Sequence, residues 1–189
     1  MFILILGLIV FLGVHSIGFL SPRLSNQMHA RFGEHGWKGL YSIIALVGLL
    51  LIIFGYGAAR QAPAIAYVPP AGLRHLTHLL MLPVFILLFA TYFPGRIKAG
   101  VRHPMLWATI LWAVAHLLSN SSWADVLLFG GFLIWAVADL ISMASRPAKT
   151  IPTLPASRYN DIISVVGGLL AYGAFVGFLH RWLFGVAPM

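Results

Sequence analysis

The chain has 189 residues, of which 60% are hydrophobic and 8% are charged, and its formal net charge is +8. Soluble domains are about 45–50% apolar and about 25% charged, so this composition provides too little polar surface to cover a water-soluble globule. A soluble enzyme is therefore excluded. The absence of cysteine also excludes disulfides and thiolate ligands of metals.

Apolar segments of roughly membrane-spanning length follow one another along the whole chain. About 20 residues of helix cross a hydrocarbon core, which predicts an all-α polytopic membrane helix bundle with about six transmembrane helices. The predicted spans are residues 1–20, 40–59, 73–92, 104–118, 123–142 and 162–184. We expect them to form a single transmembrane domain over residues 1–189.

Two of these spans need comment. The first lacks the basic start and the cleavage site of a signal peptide, so it is predicted to be a membrane helix. The fourth, residues 104–118, is only about 22 Å long at the helical rise, which is shorter than the hydrocarbon core. Either Arg102 and His103 extend it into the head-group layer, or the bilayer is thinner there.

Basic residues are distributed unequally between the two sides of the predicted membrane. Loops one, three and five contain Arg23, Arg31, Lys38, Arg96, Lys98, Arg102, Arg146, Lys149 and Arg158, whereas the other side has Arg60, Arg74 and Arg181. The positive-inside rule predicts that these odd-numbered loops are cytoplasmic and that both termini are outside. The positive charge is thus explained without a nucleic-acid partner.

Acidic residues offer little for catalysis. Glu34, Asp125, Asp139 and Asp161 are all placed in loops or in the terminal turns of helices, so no buried carboxylate pair is expected. Asp139 is predicted to be the least exposed of the four and to form an ion pair at the interface. A GxxxG pair, Gly173 and Gly177, indicates a point in the last span where another helix could approach closely.

Histidines are the more informative polar residues, because three of the eight fall inside apolar spans: His15, His78 and His116. His180 lies near the end of the last span. An imidazole without a partner costs several kcal/mol in hydrocarbon, so such a residue indicates either a functional site or an interhelical hydrogen bond of about 1 kcal/mol. Two imidazoles on facing helices can hold a haem iron between them.

Several short motifs resemble the NnrU family of bacterial integral membrane proteins, and the likeness extends over essentially the whole chain. They are the His15-Ser16 pair, GE at 33–34, LYS at 40–42, RHPM at 102–105, LWAVAHLL at 111–118, FG at 129–130 and LH at 179–180. The HPM and WAxAHLL patterns are the specific ones. The family is associated with denitrification and nitric-oxide metabolism, and it is similar to the plant zeta-carotene isomerase, a haem b protein.

The resemblance implies a cofactor, haem b, and a pair of ligands for its iron. The proposed ligands of the plant isomerase match His15 and His116 of this chain. The plant segment has a cysteine where this chain has Ala113, so a sulfur ligand is not available at that position. His78 is the alternative second ligand, because it is predicted to share the outer half of the membrane with His116.

The resemblance further implies a multi-pass protein of the bacterial inner membrane. Its function would be cis–trans isomerisation of a hydrophobic polyene substrate or a role in nitrogen-oxide metabolism. A non-catalytic membrane accessory or assembly protein, whose histidines only hold helices together, is the alternative. The sequence does not choose among these functions, and it leaves open whether the protein is an enzyme and whether it forms a homo-oligomer.

Overall fold

A computed structural model describes residues 1–70, 72–146 and 151–188. The secondary-structure elements formed by these residues are all helices. They are α1 Phe2–Leu20, α2 Pro22–Ala59, α3 Leu73–Tyr92, α4 Arg96–Val101, α5 Pro104–Ser119, α6 Trp123–Ser142, α7 Asn160–Ala174, a π-helical turn Phe175–Leu179, and α8 His180–Phe184. This confirms the all-α polytopic fold. Lys149 of the predicted fifth loop lies outside the described residues.

The predicted spans agree closely with the apolar helices. Helices α1, α2, α3, α6 and the continuous segment Asn160–Phe184 are each long and apolar enough to cross a membrane, whereas α5 is shorter. Spans 73–92 and 123–142 coincide with α3 and α6. The agreement reflects the requirement that backbone polar groups in hydrocarbon bond within their own segment.

The prediction of a loop at residues 21–39 is wrong about its conformation, because most of these residues are helical. Helix α2 begins at Pro22, a residue suited to a first helical turn, and continues to Ala59 with one interruption at Gly33. Gly33 has φ 69° and ψ 174°, a conformation that glycine adopts without steric cost, and it lets the helix change direction before the apolar part begins. Polar residues outside the hydrocarbon can therefore remain helical.

A charged pair follows this interruption. The Nζ of Lys38 lies 2.6 Å from the Oε1 of Glu34, one turn earlier on α2. The hydrogen bond and the positive charge of Lys38 lower the pKa of Glu34. Both side chains are exposed, so the pair supports the helix only weakly.

The chain divides into two compact units, each described here by itself. Unit 1 comprises Met1–Val68 and Asn120–Ser142, and unit 2 comprises Pro69–Ser119 and Met143–Met189. The single domain predicted for residues 1–189 stays a prediction.

In unit 1, α1 packs against α2 and α6. The contact between α1 and α2 is close because glycines, which have no side chain, lie at the points where the two helices meet. A Cβ added to Gly48 would lie 2.7 Å from the backbone nitrogen of Phe11, and one added to Gly7 would lie 2.6 Å from that of Ile52. The two backbones therefore approach more closely than any side chain would allow.

In unit 2, α3 packs against both α5 and α7. The close approach occurs at Gly168, where an added Cβ would lie 2.6 Å from the Cα of Ile86. At the predicted GxxxG pair, a Cβ on Gly173 or Gly177 would meet no described atom within 4 Å. The predicted contact is thus displaced to an earlier glycine of the same helix.

Candidate functional site

His15 is half-buried on α1 and surrounded by aromatic rings of unit 1. Its ring centroid lies 4.3 Å from that of Phe11, 5.3 Å from that of Tyr41 and 6.1 Å from that of Trp135. Its Nδ1 lies 2.7 Å from the carbonyl oxygen of Phe11. A carbonyl oxygen only accepts hydrogen bonds, so Nδ1 carries the proton and Nε2 carries the lone pair.

Trp135 adds a buried polar group, its indole N–H, to the aromatic residues around His15. Its indole ring is perpendicular to the His15 ring, and its Nε1–H is buried without a hydrogen-bond partner among the described residues. A buried N–H without an acceptor costs about 1–3 kcal/mol. Such an unsatisfied donor beside His15 is consistent with a site that a bound group completes.

His116 is the corresponding residue of α5 in unit 2. Its Nδ1 lies 2.8 Å from the carbonyl oxygen of Trp112, and the two rings are 5.3 Å apart. By the same reasoning, the proton is on Nδ1 and the lone pair on Nε2. The structure therefore gives His15 and His116 the same tautomer, but it places them in different units, so their predicted pairing stays a prediction.

His78 lies on α3, within the same unit as His116. Its Nδ1 is 3.2 Å from the hydroxyl oxygen of Tyr172 on α7. The residue before it, Thr77, has its hydroxyl 3.1 Å from the carbonyl oxygen of Ala115, the residue before His116. Within unit 2, the backbones at His78 and His116 are therefore at neighbouring levels along the paired helices.

The Nδ1 bond does not by itself identify a metal ligand. His29, exposed at the beginning of α2, makes the same bond to the carbonyl oxygen of Ser25 at 2.8 Å. His180 bonds the carbonyl oxygen of Val186 at 2.8 Å. His15 and His116 combine this bond with a partly buried position on an apolar helix, whereas the Nδ1 of His78 contacts the Tyr172 hydroxyl instead.

The arrangement suits a group held by one or two imidazoles. In the described part of the chain, no three histidine or carboxylate side chains are grouped so that they could hold a metal ion. A bare zinc site with three or four protein ligands is therefore not supported there. An iron held in a porphyrin needs only axial ligands from the protein.

Two aspartates are more buried than the sequence indicated. Asp125 in the first turn of α6 is 8% exposed, and Asp139 in its last turn is 9% exposed. Their placement in terminal turns was predicted correctly, but the burial was not. Because 14 residues separate them on one helix, about 21 Å, they do not form a catalytic pair.

Asp125 organises one end of unit 1. Its carboxylate accepts hydrogen bonds from the Tyr56 hydroxyl at 2.6 Å and from the backbone N–H of Ser122 at 2.9 Å. Its own N–H donates to the Ser122 hydroxyl, which completes a capping box at the start of α6. Burial raises the pKa of the nearby Tyr67 phenol, and the negative charge of Asp125 raises it further.

The RHPM motif forms a tight turn before α5. The N–H of His103 donates to the carbonyl oxygen of Val101 at 2.8 Å, and Arg102 between them has φ 64° and ψ −51°. A non-glycine residue in this conformation carries strain of about 1–3 kcal/mol. Pro104 then begins α5, as predicted.

An apolar groove of about 440 Å³ runs along α1 and α6 in unit 1. Most of its lining is aliphatic, including Leu8, Leu12 and Ile134. Ser16, next to His15 in sequence, and Trp135 also line it. The groove therefore adjoins the residues around His15 and suits an extended apolar chain.

The chain was compared with protein families, with curated proteins and with solved structures. The family model described as NnrU protein matches residues 3–188 of the chain. No curated protein and no solved structure matches it. The matched residues include His15, His78 and His116. Because it covers nearly the whole length, the chain belongs to the NnrU family.

Proposed function

We propose that this NnrU-family protein binds one haem b, with His116 as one axial ligand of the iron. His15 is the second ligand by the resemblance, and His78 is its competitor. The observation that carries the proposal is that these three imidazoles lie on apolar helices and each has its Nδ1 in a hydrogen bond. A metal-binding histidine characteristically donates its other ring N–H in this way.

The chemistry around the imidazoles suits a porphyrin. Phe11 and Tyr41 place aromatic surfaces beside His15, and Trp112 does so beside His116. The unsatisfied indole N–H of Trp135 offers a hydrogen-bond donor at the His15 site. Neutral imidazole is an established ligand type for haem iron.

Haem held by these histidines would supply redox chemistry at its iron, for electron transfer or for a reaction of a bound substrate. The chain itself holds and orients the ligand nitrogens. The carbonyl oxygens of Phe11 and Trp112 fix the tautomers of His15 and His116. The apolar helices around them limit the access of water.

For the reaction, we favour cis–trans isomerisation of a hydrophobic polyene. The support is the groove along α1 and α6, whose aliphatic lining and volume of about 440 Å³ suit a long apolar molecule that enters from the bilayer. A role in nitrogen-oxide metabolism is the alternative that the family association implies. A non-catalytic accessory protein is the alternative from a different class.

The cofactor is tested by a reduced-minus-oxidised difference spectrum of the protein purified in mild detergent. We expect a Soret band, and we expect His116→Ala to abolish it or to change the spin state. His29→Ala is the matched control, because His29 makes the same Nδ1 bond from an exposed position. A preparation that stays colourless after haem supplementation would contradict the proposal and favour the accessory protein.

The second ligand and the reaction need separate experiments. His15→Ala and His78→Ala, compared in the same spectra, identify which residue shares the iron with His116. For the reaction, membranes from cells that make cis-zeta-carotene should convert it when the chain is expressed. No conversion under reducing conditions would leave the nitrogen-oxide role as the better hypothesis.

We also propose the bacterial inner membrane as the location, with both termini outside. The long apolar helices support a multi-pass membrane protein, and the unequal distribution of Lys and Arg supports this orientation. Reporter fusions at the C terminus test it. A cytoplasmic signal would mean that one of the assumed spans does not cross the bilayer. The short helix α5 would be the first span to re-examine.

A further inference from the structure

His78 and Tyr172 contact each other through two polar atoms of the histidine. The hydroxyl oxygen of Tyr172 lies 3.2 Å from Nδ1 of His78 and 3.3 Å from the carbonyl oxygen of the same residue. The carbonyl oxygen can only accept, so it takes the hydroxyl proton. The hydroxyl oxygen then accepts from Nδ1–H, which leaves the lone pair of the imidazole on Nε2.

This bond differs in kind from those of the other two intramembrane histidines. His15 and His116 bond a carbonyl oxygen of their own helix one turn earlier, which any helical histidine can do, as His29 shows. His78 on α3 is bonded by a side chain of α7. Its ring orientation therefore depends on how these two helices pack.

Tyr172 is itself held in place by its surroundings. Its ring centroid lies 6.4 Å from that of Phe85 on α3, and Phe85 in turn packs against Phe175 at 4.9 Å. The π-helical turn begins at Phe175, so the regular α-helix ends just after Tyr172. Such π-helical turns inside longer helices frequently occur at functional sites.

We propose that Tyr172 is a positioning residue that fixes the tautomer of His78 and thereby prepares its Nε2 to bind haem iron. This rests on the haem-binding function proposed above, and it selects His78 as the ligand that shares unit 2 with His116. The contact between Thr77 and Ala115 places these two histidines at neighbouring levels of α3 and α5. Outer partners of this kind typically change metal affinity by about 10–100-fold.

The first test uses the haem-free protein and needs no activity. In protein labelled with ¹⁵N-histidine, the His78 signals are assigned by their loss in His78→Ala. We expect a protonated Nδ1 in the wild type and a shift of the proton towards Nε2 in Tyr172→Phe. Tyr159→Phe is the control, because among the described residues the Tyr159 hydroxyl bonds its exposed neighbour Arg158 and no residue of α3. An unchanged His78 tautomer in Tyr172→Phe would overturn the inference.

The second test measures haem retention in the same variants. Tyr172→Phe preserves the aromatic ring, so we expect a folded protein that loses haem at least about 10-fold faster than the wild type. We also expect a changed electron paramagnetic resonance spectrum of the ferric haem. Tyr159→Phe should match the wild type in both measurements.

The two tests separate failure of this inference from failure of the proposed function. If the wild type binds haem and Tyr172→Phe behaves identically, only the role of Tyr172 is overturned. If His78→Ala keeps the wild-type haem spectrum, His78 is not a ligand and the inference fails while haem binding stands. If the wild type binds no haem, both are overturned.

Discussion

Besides lying 3.0 Å from the carbonyl oxygen of Leu73 in its own helix, the hydroxyl oxygen of Thr77 lies 3.1 Å from the carbonyl oxygen of Ala115 and contacts the hydroxyl of Ser119, both on α5. These contacts join the beginning of α3 to the end of α5. A polar link between transmembrane helices is worth about 0.6 kcal/mol on average and up to about 1.7 kcal/mol. Thr77 and Ala115 directly precede His78 and His116, the proposed iron ligands, so we expect loss of this link to displace these two histidines as well as to lower stability.

We expect Thr77→Val, which replaces the hydroxyl by a methyl group, to destabilise the protein by about 1 kcal/mol. It should also accelerate haem loss if His116 and His78 share the iron. The measurements are the midpoint of unfolding in an SDS titration and the rate of haem transfer to an acceptor protein. Thr109→Val is the control, since the Thr109 hydroxyl bonds the carbonyl oxygen of Met105 in its own helix and, within the described part of the chain, no other helix. Equal effects of the two substitutions would contradict a special role for the α3–α5 link.

The contact between α1 and α2 leads to a second prediction. An added Cβ at Gly48 would lie 2.7 Å from the backbone nitrogen of Phe11, so Gly48→Ala must push the two helices apart. We expect a loss of about 1–3 kcal/mol, as for other overpacked interiors. Gly57→Ala on the same helix meets no described atom within 4 Å and should be neutral or stabilising. If both variants unfold at the same SDS concentration, the close contact is not present in the membrane.

The spans could be predicted from the sequence because hydrocarbon imposes one strong rule on length and composition. The sequence could not identify which glycines form the close contacts between helices. A glycine in a span permits close approach, but only the position of the neighbouring helix decides whether Gly168 or Gly173 is used. Likewise, the burial of Asp125 could not be predicted, because its carboxylate is contacted by the Tyr56 hydroxyl of another helix.

The candidate site was predicted in part. His15, His78 and His116 stand out because imidazoles are rare in apolar helices. Tyr172 was missed, since tyrosines in membrane proteins commonly lie at the interfaces. One signal could have identified it. Tyr172 lies well inside the predicted span 162–184, where no interface is near and a buried hydroxyl needs a partner.

The buried carboxylate of Asp125 leads to a third prediction. Asp125→Asn preserves the shape but replaces one acceptor oxygen by a donor, so one of the donors from Tyr56 and Ser122 loses its partner. We expect a loss of about 1–3 kcal/mol. Tyr56→Phe removes only one of these bonds and should cost less, about 0.5–1.5 kcal/mol.

Limited proteolysis provides a local measurement for these two variants. Residues 64–67 are fastened to the start of α6 by hydrogen bonds from Ala66 and Tyr67 to Ser121 and from Trp123 to Ala64. We expect cleavage between residues 61 and 70 to accelerate in the order wild type, Tyr56→Phe, Asp125→Asn. A larger effect of Tyr56→Phe would mean that the Ser122 bonds contribute little.

A fourth prediction concerns α4, which depends on a cap from another helix. The carboxylate of Asp161 on α7 accepts the N–H groups of Arg96 at 2.9 Å and Ile97 at 3.0 Å. Asp161→Ala leaves both donors without this partner, and we expect the first turn of α4 to open more readily. Hydrogen exchange of the two amides should accelerate, with Asp161→Asn between Asp161→Ala and the wild type.

Gly95 provides an independent route to the same outcome. A Cβ at this position would overlap the carboxyl group of Asp161, so Gly95→Ala should displace the cap and accelerate exchange at Arg96 and Ile97 without removing the acid. Glu34→Gln is the control, because it removes an exposed carboxylate on α2 that bonds Lys38 of its own helix. The described geometry would be contradicted if Asp161→Ala accelerates amide exchange and Gly95→Ala leaves it unchanged. In that case the Asp161 carboxylate caps α4 from a position that a Cβ at residue 95 does not obstruct, and glycine is not required there.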